Sequence, residues 1–196
     1  MIVYCATTNP GKLREFRMAA NDVCSIEPLP RLSGIASPEE HGSTFEENAA
    51  IKALAYGAHT EGWLFAEDSG LEVDALGGAP GVYSARFAGA DATDEANNRR
   101  VLELLGDTPS RSGRFVCVIA LAHGGKLVRS FRGTVEGEIL HEPRGENGFG
   151  YDPLFFYPPF NCSFGEAERE QKQLVSHRGA ALREMIAYLR TQTQTD

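Results

Sequence analysis

The chain is poor in three features that would send the reading elsewhere. It has no apolar run long enough to cross a membrane. The run at its start, Ile2-Val3-Tyr4-Cys5-Ala6, is too short for a signal peptide. It has only four cysteines, Cys5, Cys24, Cys117 and Cys162, scattered without metal-ligand spacing. A reduced, cytoplasmic setting is the simplest reading of that pattern. Positive charge is also scarce: 19 Lys and Arg face 27 Asp and Glu, for a net charge of −8. A nucleic-acid polymer would need a basic surface, so the balance excludes that partner, and no membrane partner is expected. A nucleotide stays open, because a few local cations and a metal suffice for it. Internal repeats, long linkers and low-complexity tracts are absent too. What remains is 196 residues with ordinary apolar and charged content, 42% and 23%. That describes one domain, 1–196, able to bury a real core.

The most informative stretch is Ala66-Glu67-Asp68-Ser69-Gly70-Leu71, followed by Gly77-Gly78-Ala79-Pro80-Gly81. Trp63-Leu64-Phe65-Ala66 reads as a short buried strand, with two adjacent carboxylates where it ends. In open α/β sheets ligands bind just beyond strand ends. Ser69-Gly70 is expected to supply a turn there. Carboxylates so placed suit Mg²⁺, a hard cation that prefers oxygen and arrives with phosphates. A capped turn with two solvated acids is the competing reading.

Near the start, the strand Ile2 to Ala6 leads into Thr7-Thr8-Asn9-Pro10-Gly11-Lys12 and a helix from Leu13 to Ala20. In that helix Leu13, Phe16, Arg17 and Ala20 share a face, with Arg14 and Glu15 off it. Free N–H groups at the helix start, with Lys12 beside them, form a layout that favours a phosphate. The glycine spacing is not that of a P-loop. An ordinary strand-to-helix turn would use the same residues.

A polar connection is expected from Asn21 to Glu40, with a strand near Cys24-Ser25-Ile26. Ser43-x-x-Glu46 reads as a capping box opening a helix from Thr44 to about His59. Thr93 caps a helix over Asp94 to Leu105 that Gly106 ends. Arg114 to Ala122 and Lys126 to Gly133 form a hairpin through His123-Gly124-Gly125, and Thr134 to Leu140 is another strand. Ser176 caps a last helix with Leu182, Met185, Ile186 and Leu189 on its inner face. Hairpin and strand–helix units together predict a mixed sheet with flanking helices.

Five segments, in order, carry a resemblance: Thr7-x-Asn9-x-x-Lys12-x-x-Glu15; Phe45-Glu46-Glu47-Asn48-Ala49-x-x-Lys52-Ala53; Asp68-Ser69-Gly70-Leu71 with Leu76-Gly77-Gly78-Ala79-Pro80-Gly81-Val82-Tyr83-Ser84-Ala85-Arg86; Gly148-Phe149-Gly150-Tyr151-Asp152-Pro153; and Ser176-His177-Arg178-Gly179. Together they resemble the inosine triphosphate pyrophosphatase family (Ham1/RdgB type) along almost the whole chain. The resemblance implies an elongated α/β fold, a mixed sheet flanked by helices with a central nucleotide-binding cleft, in a homodimer. It implies Mg²⁺-dependent hydrolysis of dITP, ITP and XTP to the monophosphate and pyrophosphate, cleansing the nucleotide pool. Asp68 matches the catalytic carboxylate, a base toward water and a metal ligand. Glu40 matches a second metal ligand, although by itself it reads as a solvated loop acid beside Glu39. Glu67 stands where relatives often carry Asp.

For the substrate the resemblance implies Thr7, Thr8, Asn9, Pro10, Gly11, Lys12, Lys52, Ser69, Phe149, Gly150, Tyr151, Asp152, Lys172, His177 and Arg178. Residue by residue the readings differ in sharpness. Lys52 shares a helix face with Asn48, and on such a face a lysine commonly snorkels to solvent. Lys172 sits in the charged run Glu168-Arg169-Glu170-Gln171-Lys172, which alone reads as a solvated helix. Phe149, between two glycines, suits a flat ligand, whereas Phe155 and Phe156 read as core. Arg178 can only donate, so it fits the C6 carbonyl of hypoxanthine or xanthine and not the amino group of adenine. Two alternatives stand beside this reading. A Maf-type pyrophosphatase would act on other modified nucleotides, but the Ser176-His177-Arg178-Gly179 ending favours the ITP type. A nucleotide-binding regulator without turnover would not need Asp68, Glu40 and Lys12.

Overall fold

The computed structural model describes residues 1–20 and 24–192; the first residues of the expected 21–40 connection therefore lie outside it. The sheet has seven strands: β1 (Ile2–Cys5), β2 (Ser25–Pro28), β3 (Trp63–Val73), β4 (Ser112–His123), β5 (Lys126–Ile139), β6 (Phe155–Tyr157) and β7 (Cys162–Ser163). Their order across the sheet is β2-β1-β3-β4-β5-β6-β7. β1 runs parallel to β2 and β3, while β6 runs antiparallel to β5 and β7, so the sheet is mixed. The helices are α1 (Pro10–Ala20), α2 (Phe45–Gly57), α3 (Asp94–Leu105), α4 (Arg169–Val175) and α5 (His177–Gln192). The expected mixed α/β class is what forms.

Local signals place most of these elements. The α3 cap is as read: Thr93 accepts from Ala96 N–H at 3.2 Å, and the Gly106 N–H closes the helix on Leu102 O. The α2 cap sits one residue later than expected. Thr44 accepts from Glu47 N–H, and the Glu47 carboxylate reaches back to Ser43 N–H at 2.7 Å. The N-cap is therefore Thr44 rather than Ser43, and the acid that reaches back is Glu47 rather than Glu46, bonding the residue before the cap. Gly124 and Gly125, both at positive φ, join β4 to β5. The strand expected from Thr134 forms, as the continuation of β5 to Ile139.

The larger correction concerns β3. It does not end at Ala66 but runs on to Val73, so Glu67, Asp68, Ser69 and Gly70 lie inside a strand rather than in a turn. Leu71 and Val73 are fully buried, and this apolar demand carries the strand through the polar stretch. Gly70 is glycine for a different reason. A Cβ there would lie 2.3 Å from Ser84 Oγ and 2.5 Å from Gly81 O. The Gly81–Arg86 turn lies directly on the strand, and only a residue without a side chain permits it.

The chain divides into two compact units. The first comprises Met1–Asp68, Cys117–Gly133 and the segment from His177. Its core gathers Val3, Cys5, Phe16, Phe65, Cys117, Ile119, Leu121, Leu182, Met185 and Leu189. Phe16 of α1 meets Phe65 of β3 edge-to-face at 5.1 Å, a pairing that adds about 0.5–1.5 kcal/mol to the area buried. The last helix buries Leu182, Met185, Ile186 and Leu189, as its periodicity predicts. The second unit comprises Ser69–Val116 and Thr134–Ser176. It closes around Leu71, Val73, Val101, Leu105, Phe115, Phe155 and Phe164. Phe155 is core as expected, whereas Phe156 is only half-buried.

Candidate functional site

In the first unit the alternation of β3 decides which group meets which. Successive strand residues point to opposite faces of a sheet. Phe65 joins the core under α1 and α5, and Glu67 follows it on that face. Leu64 joins the cluster with Tyr56 of α2, and Asp68 follows on the other face. The two neighbouring carboxylates, expected together in one turn, therefore head two different clusters.

Glu67 takes the Lys12 ammonium at 2.5 Å, and the Cys117 Sγ lies 3.9 Å from its other oxygen. Burial alone would push this carboxyl up, but Lys12 and then Arg178 overcome it and hold Glu67 down at about 2. Arg178, at the start of α5, pairs with Glu15 of α1 at 2.9 Å, and both side chains are buried. Burial would lower the Arg178 value, yet Glu15 and Glu67 outweigh it and raise it. The apolar spacing puts Glu15 off the inner face of α1 and Arg17 on it. The structure reverses them: Glu15 is buried and Arg17 exposed. The apolar period could not foresee this, because the inner side of the helix meets the Arg178 guanidinium, with which Glu15 pairs.

The helix-start cradle also differs from expectation. Helix α1 begins at Pro10, three residues earlier than read from sequence. The Asn9 side chain accepts from Gly11 N–H at 2.8 Å and Lys12 N–H at 3.1 Å, and Thr7 Oγ accepts from Asn9 N–H. Asn9 thus satisfies backbone donors that were expected to face an anion. Thr8 lies in the same connection between β1 and α1.

On the other face, Lys52 of α2 reaches Asp68 at 2.8 Å and Glu40 at 3.3 Å. The two carboxylates named as metal ligands thus converge on one cation. Lys52 does not snorkel outward: burial would lower its value, but Glu67 and Asp68 raise it. Asp68 moves up from the ordinary carboxylate value, because burial outweighs the pull of Lys52. A carboxylate in that state is a stronger base than a free aspartate. Asn48, completely buried, stands 3.4 Å from Asp68 and accepts from Gly42 N–H at 2.8 Å, tying the 40–42 segment to α2. His177 is buried at the start of α5. A Cβ on Gly133 of β5 would lie 2.1 Å from the His177 carbonyl, so this glycine lets the strand lie against the first turn of α5. Among the described residues no group of three or more His, Cys, Asp or Glu gathers in a way that could hold a metal.

In the second unit Asp152 is the organising group. It is 2% exposed, and one of its oxygens accepts from Lys172 at 2.7 Å and from Phe149 N–H at 2.8 Å. Lys172, by sequence one charge of a solvated helical run, is buried instead, its ammonium 5.3 Å from the Phe149 ring centre and 5.8 Å from that of Phe164. Gly148 sits at positive φ, and a Cβ there would lie 2.0 Å from the Asp152 carboxylate. Tyr151 is buried and donates to Ser84 O at 2.7 Å. Burial raises its phenol. Ser69 belongs to this unit and lies on β3. Gly150 is gripped from α3 by Asp94 and Asn98, two residues that sequence reasoning did not single out. Their only sequence signal is their position in the first turns of a capped helix.

The fold is a mixed α/β sheet whose first unit holds a buried carboxylate paired with a lysine and whose second unit holds an aromatic between two glycines. The particular family follows from comparison with known proteins. The sequence model of the Ham1 family matches residues 3–188, and the chain belongs to that family. A protein of an Exiguobacterium species named dITP/XTP pyrophosphatase is 48% identical over 188 residues, covering 95% of this chain and 96% of that one. The solved structure of the Staphylococcus aureus Ham1 protein aligns with a TM-score of 0.87 at 41% identity, covering 98% of this chain and 100% of its own. That of a HAM1 protein from Coxiella burnetii aligns with a TM-score of 0.88 at 40% identity, covering 97% and 99%.

Proposed function

We propose that this protein hydrolyses non-standard purine nucleoside triphosphates, dITP, ITP and XTP, to the monophosphate and pyrophosphate. The observation that carries the reading is Asp68: a buried carboxylate with a raised value, held by Lys52, in a chain whose relatives are named dITP/XTP pyrophosphatase. Asp68 accepts the proton of the attacking water, and burial keeps it basic enough to do so. Lys52 orients Asp68 and stays charged as the triphosphate arrives. Lys12, one-fifth exposed, adds positive charge at the start of α1.

Mg²⁺ fits the donor set. Glu40 and Asp68 already share one cation, the Lys52 ammonium. One or two carboxylates, completed by water and phosphate oxygens, are what Mg²⁺ ordinarily takes. Bound by these two residues, it would neutralise phosphate charge and polarise the bond to be cleaved. In the first unit Arg178, set by Glu15, donates to the base carbonyl at C6, with His177 beside it in the sequence. In the second unit Phe149 offers its face to the purine, with Asp152 and Lys172 fixing the loop beneath it. Such an enzyme would cleanse the nucleotide pool in the cytoplasm as a homodimer, the assembly the family resemblance implies.

The test is pyrophosphate release from ITP, dITP and XTP with ATP and GTP as controls, in Mg²⁺ and in chelator. The wild-type protein is expected to act on the first three and to stop in chelator. Asp68→Asn should keep its fold and lose about 10²- to 10⁴-fold in kcat, the contribution of a positioned base. Near-normal turnover of that variant at saturating Mg²⁺ would refute the assignment.

A further inference from the structure

The loop Gly148-Phe149-Gly150 has a glycine at positive φ on each side of its aromatic residue, with φ of 79° and 63°. The two glycines give the loop wide backbone freedom, so contacts elsewhere must hold Phe149 in place. A cavity of about 600 Å³ opens beside the loop, lined by α3 residues including Asn98 and Leu102 and by loop residues including Pro143, Asn147 and Phe149. What bridges α3 to the loop is polar. Asp94 Oδ2 accepts from Gly150 N–H at 2.6 Å. Asn98 Nδ2 donates to Gly150 O at 2.9 Å. Both hydrogen-bonding groups of this one residue's backbone are therefore taken by side chains one helical turn apart. Asn98 is 5% exposed, so its bond is shielded from water. From the other end of the loop, Asp152 accepts Phe149 N–H, and the same oxygen holds Lys172.

We infer that Asp94 and Asn98 are positioning residues for substrate binding: by clamping the Gly150 backbone they set the Phe149 ring at the angle and depth that a purine needs. This rests on the pyrophosphatase reading and on Phe149 facing the base. It assigns α3, which carries none of the family motifs quoted above, a part in recognition. Neither residue touches the substrate; both act through Phe149. Since stacking is made equally in the ground and transition states, its loss raises KM and leaves kcat nearly unchanged.

The experiment uses ITP kinetics on the full chain. Asn98→Ala is expected to raise KM about tenfold, within the range that loss of one base–aromatic stack produces, with kcat within about twofold of wild type. Phe149→Ala should raise KM at least as much. The double variant should be no worse than Phe149→Ala alone, because residues acting through one group are not additive. Since Asn98 is buried and its replacement can disturb folding, exposed Asp94 supplies a second arm. Asp94→Ala and Asp94→Asn both remove the charge at the helix start, but only Asn keeps an acceptor for Gly150 N–H. Asp94→Asn should therefore recover most of the KM that Asp94→Ala loses. The inference is overturned if Asn98→Ala and Phe149→Ala multiply in KM, if Phe149→Ala leaves KM unchanged, or if Asp94→Ala and Asp94→Asn behave alike. A wild-type protein that releases no pyrophosphate from ITP overturns the underlying reading instead, so the two failures are told apart.

Discussion

Glu67 offers the sharpest quantitative test of the buried charge network. Its carboxyl is held down at about 2 against an ordinary 4.5, although burial pushes the other way. A difference of that size at about 1.36 kcal/mol per unit corresponds to about 3 kcal/mol of stability from the charged form. The sign follows from the direction. A carboxyl whose folded value is depressed contributes fully above its unfolded value near 4.5, and the contribution is lost as pH falls toward 2. Glu67→Gln keeps the shape and removes the charge that Lys12 and Arg178 neutralise. At pH 7 the variant should be less stable by about 3 kcal/mol, which for a chain of this size lowers Tm by about 6–12 °C. Below pH 4.5 the gap should narrow, because wild type loses what the variant never had. Urea unfolding of both proteins at pH 7, 5, 4 and 3, in chelator, measures the gap directly. Using the difference cancels the other carboxylates, which titrate in both proteins. A gap that stays constant down to pH 3, or none at pH 7, would mean that Lys12 and Arg178 do not hold Glu67 as described.

Other perturbations separate the remaining roles. Asp152→Ala leaves the ammonium of buried Lys172 without its 2.7 Å partner, and should cost about 3–5 kcal/mol in unfolding free energy; a loss under 1 kcal/mol would show that Lys172 relaxes into water. Arg178→Ala should reduce kcat/KM for ITP far more than for ATP, by about 1–3 kcal/mol of discrimination; an unchanged ITP-to-ATP ratio would assign Arg178 to the fold through Glu15.

Short-range signals in the chain specify most of the elements and the α/β class. Thr93 and Gly106 bound α3 by satisfying backbone groups within one turn, and Leu182, Met185, Ile186 and Leu189 mark the buried face of α5 by spacing alone. The two glycines between β4 and β5 announce the hairpin, and the five ordered motifs announce the family. Such signals act over a few residues, so no knowledge of the rest of the chain is needed to read them. Even here the local reading slipped where two caps competed, Ser43 with Glu46 against Thr44 with Glu47.

Long-range packing sets where the candidate site residues lie. Whether Asp68-Ser69-Gly70 turns or runs straight depends on Leu71 and Val73 finding a core, and that core is assembled from β4, α3 and the segment around Phe155. Once the strand runs straight, its pleat sends Glu67 and Asp68 to opposite faces, and each takes the lysine it finds there. The pairing of Glu15 with Arg178 joins residues 163 positions apart. No periodicity encodes such a pair, because a charged residue on an apolar face is favourable only if its counter-charge is delivered by a distant segment. Lys172 follows the same rule. In sequence it is one charge among several in a polar run; in the folded chain Asp152 neutralises it, and that pairing allows it to be buried beside Phe149.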